Sequence, residues 1–330
     1  MVLAEFLTEW NRADTTVEVQ TSGSTGAPKP MLVEKARMMA SARMTNDFLG
    51  LSHGDIALLC MDLKYIGAKM MVVRSLERRL RLIEVAPTGH PLANLPKEIA
   101  NQKIDFAAMV PLQVYNSLQV EEEAQRLRDI RHLIIGGGAV DEKTAQQLHS
   151  FPNAVWSTYG MTETLSHIAL RRMNGPDASL WYTPFTGIRL SLDHEGCLII
   201  DAPMLCDARL YTNDQAELLP NGCFRILGRK DNVIVSGGVK IQIEEVERIL
   251  TPVLRYPFQI TYVADEKFGQ ALVLLTEDPH PQKLEAICHK VLPKYWAPRQ
   301  YLHTNHLPWT ETGKAARQAT QRLATALLFA

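Results

Sequence analysis

The stretch from Thr21 to Lys29, TSGSTGAPK, most constrains what this chain can fold into and bind. It directly follows Thr16–Gln20, whose alternating, β-rich residues predict a strand. Glycines let the backbone turn its N–H groups inward, and hydroxyl groups and a lysine add further donors and one positive charge. The sequence therefore predicts a cradle for the β and γ phosphates of a nucleotide, built from Thr21, Ser22, Gly23, Ser24, Thr25, Gly26 and Lys29.

This loop is not a Walker phosphate loop, in which Gly and Lys are adjacent, Ser or Thr follows the Lys and a helix begins there. Here Pro28 lies between Gly26 and Lys29, and Pro30 opposes the immediate start of a helix. The plainer interpretation of any loop rich in Gly and Ser is a polar turn between a strand and a helix. The ordered run T-S-G-S-T-G-x-P-K is much rarer by chance.

Composition and charge exclude several classes of protein. The formal net charge is -1, so no basic field is available to hold nucleic acid or an anionic membrane. Apolar runs such as Ile56–Met61 are far shorter than the ~20 residues that span a bilayer. The 5 cysteines are scattered without a C-x-x-C pair, which argues against a zinc site or disulfide framework. We expect a cytoplasmic protein with no nucleic-acid or membrane partner.

The order of the predicted elements indicates three regions. As far as Ile135, short apolar strands alternate with helical segments, which predicts a layered α/β fold. From Gly187, short strands separated by turns predict a small antiparallel β region, and beyond Gly228–Asp231 strands and helices alternate as in a small α+β domain. We assign residues 1–230 to a large N-terminal domain and 231–330 to a small C-terminal domain.

Two helices have clear signals. The spacing in Glu34–Leu49 is helical, and Gly50 follows as a C-cap. The second helix is predicted at Glu244–Val253, with an apolar stripe of Val246, Ile249, Leu250 and Val253.

The run Thr21–Lys29 resembles a signature of the adenylate-forming superfamily of acyl-CoA synthetases, adenylation domains and luciferases, and the other signatures follow in order. The resemblance extends from Thr16 to Arg317. It implies a large α/β domain with a small antiparallel β region and a mobile α+β lid. It also implies an ATP-dependent acid–CoA ligase that uses ATP, Mg²⁺ and CoA and releases AMP and pyrophosphate.

Two further segments resemble the family's nucleotide site. The glycine-rich turn implies that Gly137, Gly138 and Ala139 lie along adenine. Ser157–Thr164 resembles the Tyr-Gly-x-Thr-Glu motif, which implies that Tyr159 stacks on adenine, that Thr162 contacts a phosphate and that Glu163 holds Mg²⁺. Ser157, Thr158 and Gly160 are predicted to bind the nucleotide with them. Taken alone, the glycines would be a tight turn and the glutamate a solvated charge.

Tyr211–Asp214 resembles the family's Tyr-x-Thr-Gly-Asp, whose Asp accepts hydrogen bonds from both ribose hydroxyls. Asn213 replaces the usual Gly, and we expect the turn to survive because Asn tolerates left-handed backbone. Gly228–Asp231 resembles the family's hinge, although charge alone would fit a linker. The resemblance implies that Arg229 reaches the ribose or phosphate, that Asp231 is the pivot and that Gly237 and Gly238 belong to the lid and CoA site.

Thr312–Arg317 resembles the last signature, in which Lys314 reaches the α-phosphate and the substrate carboxylate. The predicted catalytic residues are Lys29, Thr162, Glu163 and Lys314. Charge builds on the phosphoryl oxygens as the carboxylate attacks and pyrophosphate leaves, so fixed cations would be the main catalytic device. Turning of the lid about Asp231 would then allow a thiol to attack the adenylate.

Ser236–Glu247 and Gly160–Ser166 look most like the o-succinylbenzoate–CoA ligases of menaquinone synthesis. That substrate is an aromatic dianion, and the carboxylate that is not activated needs a fixed partner. The predicted acid-binding residues are Lys64, Tyr65, Arg74 and His167, although structural or solvated roles are the plainer interpretation of the charged ones. Another aryl- or acyl-CoA ligase, a carrier-protein-loading adenylation enzyme and a non-catalytic nucleotide-binding regulator remain alternatives.

Fewer residues precede Thr21 than in most of the family. We interpret the chain as a compact natural form with a shortened N-terminal region. Loss of part of the first subdomain would expose a sheet edge that a partner subunit can cover, so a homodimer is plausible.

Overall fold

A computed structural model describes residues 2–20, 30–99, 102–138, 140, 142–310 and 315–329. The phosphate loop Thr21–Lys29, Ala139 and Lys314 lie outside these residues, so the roles given to them stay predictions. Two compact units are present. The first is Met1–Ser191 with Ile199–Leu210 and Leu218–Arg225, and the second is Leu192–Leu198 with Tyr211–Glu217 and Ile226–Ala330. The predicted boundary after residue 230 stays a prediction.

The α-helices of the described residues are α1 Leu3–Trp10, α2 Lys35–Leu49, α3 Ile66–Arg78, α4 Pro111–Leu118, α5 Glu121–Asp129, α6 Glu142–His149, α7 Ile243–Leu250, α8 Leu284–Val291 and α9 Arg317–Phe329. Short 3₁₀ helices lie at Thr162–Thr164, Lys230–Asn232 and Pro281–Lys283. No helix in this part of the chain is long and apolar enough to cross a membrane.

The strands are β1 Thr16–Gln20, β2 Pro30–Glu34, β3 Ile56–Leu59, β4 Arg81–Glu84, β5 Phe106–Met109, β6 His132–Ile135, β7 Ala154–Gly160, β8 His167–Arg172, β9 Thr183–Pro184, β10 Arg189–Leu192, β11 Cys197–Asp201, β12 Leu210–Leu218, β13 Phe224–Arg229, β14 Val233–Ser236, β15 Val239–Gln242, β16 Phe258–Asp265, β17 Gly269–Thr276 and β18 Gln300–His303.

The first unit is built on a seven-stranded sheet in the order β4-β3-β5-β6-β7-β8-β9. Strands β4 to β7 are parallel, whereas β8 and β9 pair antiparallel. Every residue of β3 and β5 is buried, as expected for strands covered on both faces. Helix α2 ends at Gly50 with φ +63°, so the predicted C-cap is confirmed.

The segment before the phosphate loop forms a separate two-stranded sheet. Its strands β1 and β2 are antiparallel, with Gln20 opposite Pro30. Strand β2 begins at Pro30 and α2 only at Lys35, so the residue that follows Lys29 belongs to a strand and not to a helix. The Lys69 ammonium donates to the Glu18 carbonyl at 2.6 Å, which ties β1 to α3.

Strands β10 to β13 form a four-stranded sheet in chain order. This sheet corresponds to the predicted small β region, but β12 was missed because polar residues hide its alternation. Asn213 lies inside β12, and the non-glycine residues with positive φ in the described chain are Arg79, Leu165 and Tyr295. The expectation of a left-handed turn at Asn213 is therefore wrong, since an extended strand needs none.

The second unit contains the sheet β15-β14-β17-β16, with β18 pairing parallel to β17. Helix α7 buries Val246 and Leu250 completely against this sheet's core. The helix ends at Leu250, three residues before its predicted end, because Pro252 lacks the N–H that another turn would use. Val253 is 42% exposed, so its place in the buried stripe was wrong.

Candidate active site

Two of the predicted nucleotide-binding segments meet at the carboxyl ends of β6 and β7. The two strands pair with Ile135 opposite Ser157, so the turn after β6 lies beside the end of β7. At Gly136 a methyl group would lie 2.5 Å from the Thr158 hydroxyl oxygen, which is closer than side chains approach. Gly137 has φ +82°, a conformation that glycine adopts without strain. Because Gly136 and Gly137 have no side chains, the space beside the end of β7 stays open.

The Tyr159 ring is held in a cluster of aromatic side chains. It lies edge-on to Phe224, with 5.1 Å between ring centres, and 5.9 Å from Tyr182. Tyr182 stacks on Phe224 and shares a 2.9 Å hydrogen bond with the Ser157 hydroxyl. Sequence reasoning missed Tyr182 and Phe224, because they are distant in the chain and belong to no signature. Their contacts restrict how the Tyr159 ring can turn.

A tight turn follows β7 and orients the Thr-Glu part of the motif. A methyl group on Gly160 would lie 2.3 Å from the Ser166 carbonyl oxygen and 2.4 Å from the His167 Cα. Leu165 is buried with φ +64° and ψ -35°, a sparsely populated backbone conformation that costs about 1–3 kcal/mol. The Thr164 hydroxyl lies 2.7 Å from the Ser166 carbonyl oxygen and accepts from the Met161 N–H. These contacts fix the backbone on both sides of Thr162 and Glu163.

The Glu163 side chain is exposed next to this turn. A carboxylate is the donor that Mg²⁺ prefers, and Mg²⁺ in nucleotide sites is bound by one or two carboxylates with the substrate phosphates. Within the described residues, no cluster of three or more His, Cys, Asp or Glu side chains could hold a metal alone. The donor set therefore fits Mg²⁺ that arrives with a nucleotide, and it does not form a closed metal cage.

Arg74 is the most unusual of the acid-binding candidates, because its side chain is 1% exposed. It donates to the Ser166 hydroxyl at 2.6 Å, while its Nε has no hydrogen-bond partner in the described part of the chain. Among the described residues no carboxylate forms an ion pair with it, and burial lowers the pKa of Arg74 to about 9. A buried guanidinium without a counter-charge is costly unless a ligand supplies one.

His167 lies beside Arg74 and is also buried. Its Nε2 is 3.1 Å from the Thr45 hydroxyl and its Nδ1 is 3.2 Å from the Ser166 hydroxyl. Burial, with a smaller contribution from the Arg74 charge, lowers the pKa of His167 well below its ordinary value. The imidazole is therefore neutral at pH 7.

Lys64 and Tyr65 lie apart from this buried pair. The Lys64 ammonium is 4.8 Å from the centre of the Tyr65 ring and 3.8 Å from an Asp62 carboxylate oxygen. Tyr65 is 43% exposed immediately before α3. At 1.5 Å per residue it is about 13 Å from Arg74 along the helix axis. The structure thus brings two of the four predicted acid-binding residues together and places the other two at the surface.

In the second unit, the residues predicted for the ribose and the pivot form one charged cluster. The Arg229 guanidinium lies 3.4 Å from an Asp214 carboxylate oxygen and 2.8 Å from an Asp231 carboxylate oxygen. The Asn213 amide donates to Asp231 at 3.2 Å. Sequence reasoning did not foresee this role for Asn213, which replaces a glycine.

Gly237 and Gly238 form the turn between β14 and β15, with φ +58° and +82°. A methyl group on Gly237 would lie 2.9 Å from the Phe268 ring, whereas nothing lies within 4 Å of one on Gly238. Gly237 is therefore needed for packing, and Gly238 presents open backbone.

The chain on either side of residues 311–314 is anchored within the second unit. Trp309 forms an antiparallel bridge with Ala315. The Arg317 guanidinium donates to both Glu247 carboxylate oxygens at 2.6 Å, and such bidentate pairs are strong and geometrically specific. The segment with Lys314 therefore starts and ends at fixed points.

Comparison with known proteins gives a consistent result. A family described as AMP-binding enzyme matches residues 7–202. A solved acyl-CoA synthetase (AMP-forming)/AMP-acid ligase II-like protein from Dyadobacter fermentans is 34% identical, with a TM-score of 0.66, and the match covers 96% of this chain and 91% of that one. A 2-succinylbenzoate–CoA ligase from Bacillus mycoides is 24% identical over 92% of this chain and 69% of its own length.

The fold also occurs in the Bacillus subtilis o-succinylbenzoate coenzyme A synthetase MenE, solved in complex with ATP and a magnesium ion. That structure has a TM-score of 0.74 and 20% identity, and the match covers 91% of this chain and 68% of that one. The predicted fold, an adenylate-forming α/β enzyme, is confirmed by these structures. At this identity the likeness to MenE concerns the fold alone.

Proposed function

The chain belongs to the family of AMP-binding enzymes, and on that basis we propose that its acid is o-succinylbenzoate. The family and the ligase relatives confirm the predicted class, which is an ATP-dependent acid–CoA ligase. The product would be o-succinylbenzoyl-CoA, an intermediate of menaquinone biosynthesis, formed in the cytoplasm. ATP, Mg²⁺ and CoA are the other reactants.

The observation that carries this proposal is the enclosed Arg74 guanidinium, which has no carboxylate partner among the described residues. Ser166, whose hydroxyl accepts a hydrogen bond from Arg74, lies four residues after Thr162 of the Tyr-Gly-Met-Thr-Glu motif. A monocarboxylic acid would use its only carboxylate in the reaction and leave Arg74 unpaired. A dicarboxylic acid has a second carboxylate that can pair with it.

The chain's own residues would divide the work as follows. Tyr159 and the glycine turn would hold adenine, and Asp214 with Arg229 would hold the ribose. Lys29 and Thr162 would bind the phosphates, and Lys314 would stabilise the α-phosphate as the carboxylate attacks it. Glu163 would hold Mg²⁺, which neutralises phosphate charge. No protein nucleophile is needed, since the substrate carboxylate attacks phosphorus directly.

The lid and its pivot are part of the proposal. After pyrophosphate leaves, rotation about Asp231 would withdraw Lys314 and present Gly237 and Gly238 to the incoming thiol. A homodimer, in which a second copy covers an exposed sheet edge, belongs to the same proposal.

The test of function is pyrophosphate release with a panel of acids, followed by transfer to CoA or to a carrier protein. We expect release with o-succinylbenzoate and transfer to CoA. Preference for another acid would favour another acyl-CoA ligase, and transfer to a carrier protein would favour a loading enzyme. Absence of release with any acid would favour a nucleotide-binding regulator.

Arg74→Met tests the acid site directly. We expect kcat/KM for o-succinylbenzoate to fall by about 10²-fold, since a hydrogen bond to a charged group contributes about 1.5–3 kcal/mol. The loss should lie mainly in KM, while KM for ATP stays unchanged. The variant should fold, because an apolar side chain of similar size removes the cost of a buried charge.

Arg43→Met is the matched control, because that arginine is exposed on α2 and, in the part of the chain that the structure describes, forms an ion pair with Glu77 alone. It should behave as the wild type does. If Arg74→Met keeps the wild-type KM for o-succinylbenzoate, Arg74 does not bind the second carboxylate.

A further inference from the structure

Arg74 is held by a chain of hydrogen-bonded polar groups. None of the family signatures predicts that these groups lie together. The buried relay, defined as Arg74, Ser166, His167 and Thr45, links α3 to the turn after β7 and to α2. Its three contacts measure 2.6, 3.2 and 3.1 Å in that order. Arg74, His167 and Thr45 are buried, and a fourth contact of 3.3 Å joins the Thr45 hydroxyl to the Ser41 carbonyl oxygen.

The chemistry of these groups fixes the direction of the relay. A guanidinium only donates, so the Ser166 oxygen accepts from Arg74. The Ser166 proton is then free for Nδ1 of His167, which must accept it. The neutral imidazole carries its proton on Nε2 and donates it to Thr45, whose own proton goes to the Ser41 carbonyl. In this arrangement each of the four contacts has one proton.

If the hydrogen bonds of the relay ran in the opposite direction, some of its groups would lack hydrogen-bond partners. With the proton on Nδ1, the Ser166 oxygen would accept twice, and its own proton would have no acceptor among its described contacts. Thr45 would have to donate to Nε2 and would give up the Ser41 carbonyl. A doubly protonated ring would have the same fault and would place a second cation beside Arg74.

From this geometry we infer that His167, as its neutral Nε2–H tautomer, is a positioning residue that fixes the direction of the Arg74 guanidinium through Ser166. His167 thereby sets the preference for an acid with a second carboxylate without touching that carboxylate. This inference rests on the proposed function, in which Arg74 binds that carboxylate. Thr45 completes the role, because its hydroxyl accepts the Nε2 proton.

The test compares o-succinylbenzoate with the two monoacids that each lack one of its carboxylates. His167→Phe keeps an aromatic ring against Phe185, whose ring centre is 5.5 Å away, but removes both nitrogens. We expect the preference for the dicarboxylic acid, as a ratio of kcat/KM values, to fall about tenfold, because Arg74 would no longer be directed at the second carboxylate and a hydrogen bond to such a charged group is worth at least that factor. KM for ATP should not change.

His167→Gln is the conservative rescue, because its amide can accept from Ser166 and donate to Thr45. It should keep most of the preference. Thr45→Val removes only the last acceptor and should reduce the preference by a smaller factor. Thr325→Val is the control, since that exposed threonine makes the same bond to the carbonyl four residues earlier but touches no histidine.

Different experimental results would contradict the relay and the proposed acid site. If Arg74→Met abolishes the preference and His167→Phe leaves it intact, the relay is wrong and the acid site stands. If Arg74→Met also leaves it intact, or if the wild type shows no preference, the proposed acid site is wrong and the relay falls with it. Equal losses for all acids would mean that His167 is only structural, which also overturns the relay.

A measurement without turnover covers the case in which His167→Phe does not fold. Nitrogen NMR of ¹⁵N-histidine-labelled wild-type enzyme distinguishes the two neutral tautomers, and the signal missing in His167→Gln identifies His167. We expect the Nε2–H form at pH 7. An Nδ1–H form or a protonated ring would overturn the assigned direction.

Discussion

Lys314→Ala is expected to lower the rate of adenylate formation by about 10²–10³-fold, the usual cost of removing one group that stabilises transition-state charge. The same variant should keep much of the thiol step when it is supplied with the acyl-adenylate. The reason is that charge on the α-phosphate builds only in the first half-reaction. Pyrophosphate release measures the first step, and CoA thioester formation from added adenylate measures the second.

The contacts that hold the chain on both sides of this segment should not be disturbed by the Lys314→Ala substitution. The Trp309–Ala315 bridge and the Glu247–Arg317 ion pair involve no atom of the Lys314 side chain, so truncation should leave them intact. Lys290→Ala, an exposed lysine on α8 in the same unit, serves as the control and should leave both steps unchanged. Equal loss of both half-reactions would contradict the role proposed for Lys314.

Gly160→Ala is expected to damage both folding and activity. The new methyl group would meet backbone atoms of Ser166 and His167 at 2.3 and 2.4 Å, so no side-chain rotation can relieve the contact. Overpacking of this kind costs about 3 kcal/mol. The turn would have to open, which shifts Tyr159 and Thr162 relative to each other. A displacement of about 1 Å in a catalytic site costs about 10²-fold in rate.

Thermal unfolding and pyrophosphate release together test this prediction. Gly50→Ala is the matched control in the same unit, because Gly50 has φ +63° with nothing within 4 Å of the added methyl group. It should cost only the strain of left-handed backbone, about 1–2 kcal/mol, and leave activity intact. Wild-type stability and rate in Gly160→Ala would show that the turn adapts more easily than the contacts suggest.

The two segments that we propose to bind the nucleotide could be identified in the sequence because each is a local run of residues with a local conformation. Gly136–Gly138 and Ser157–Gly160 lie at the ends of neighbouring strands, and the alternation of short apolar strands with helical segments already indicated a layered α/β fold. Tyr182 and Phe224 were not predictable, since only tertiary packing brings them to Tyr159. No pattern along the chain encodes such a contact.

Arg74 shows a second limit of sequence reasoning. An arginine on a helix is ordinarily in contact with solvent. The neighbouring Arg78 follows that rule, because its ion pair with Asp47 is exposed. Arg74 faces the sheet instead, where Ser166 and His167 form its surroundings. Ser166 lies 92 residues later in the chain and His167 begins β8, so helical periodicity could not report the environment of Arg74.

The strand order of the first unit has a consequence for how the protein is made. In the order β4-β3-β5-β6-β7-β8-β9 every strand after β3 pairs with a strand that precedes it in the chain, so each new strand finds a partner already synthesised. Domains generally fold as units during synthesis, with the N-terminal part first. The sheet of the second unit is completed later, because its last strand is β18, Gln300–His303. On the ribosome, the sheet beside the nucleotide segments can form before the segment with Lys314 has been translated.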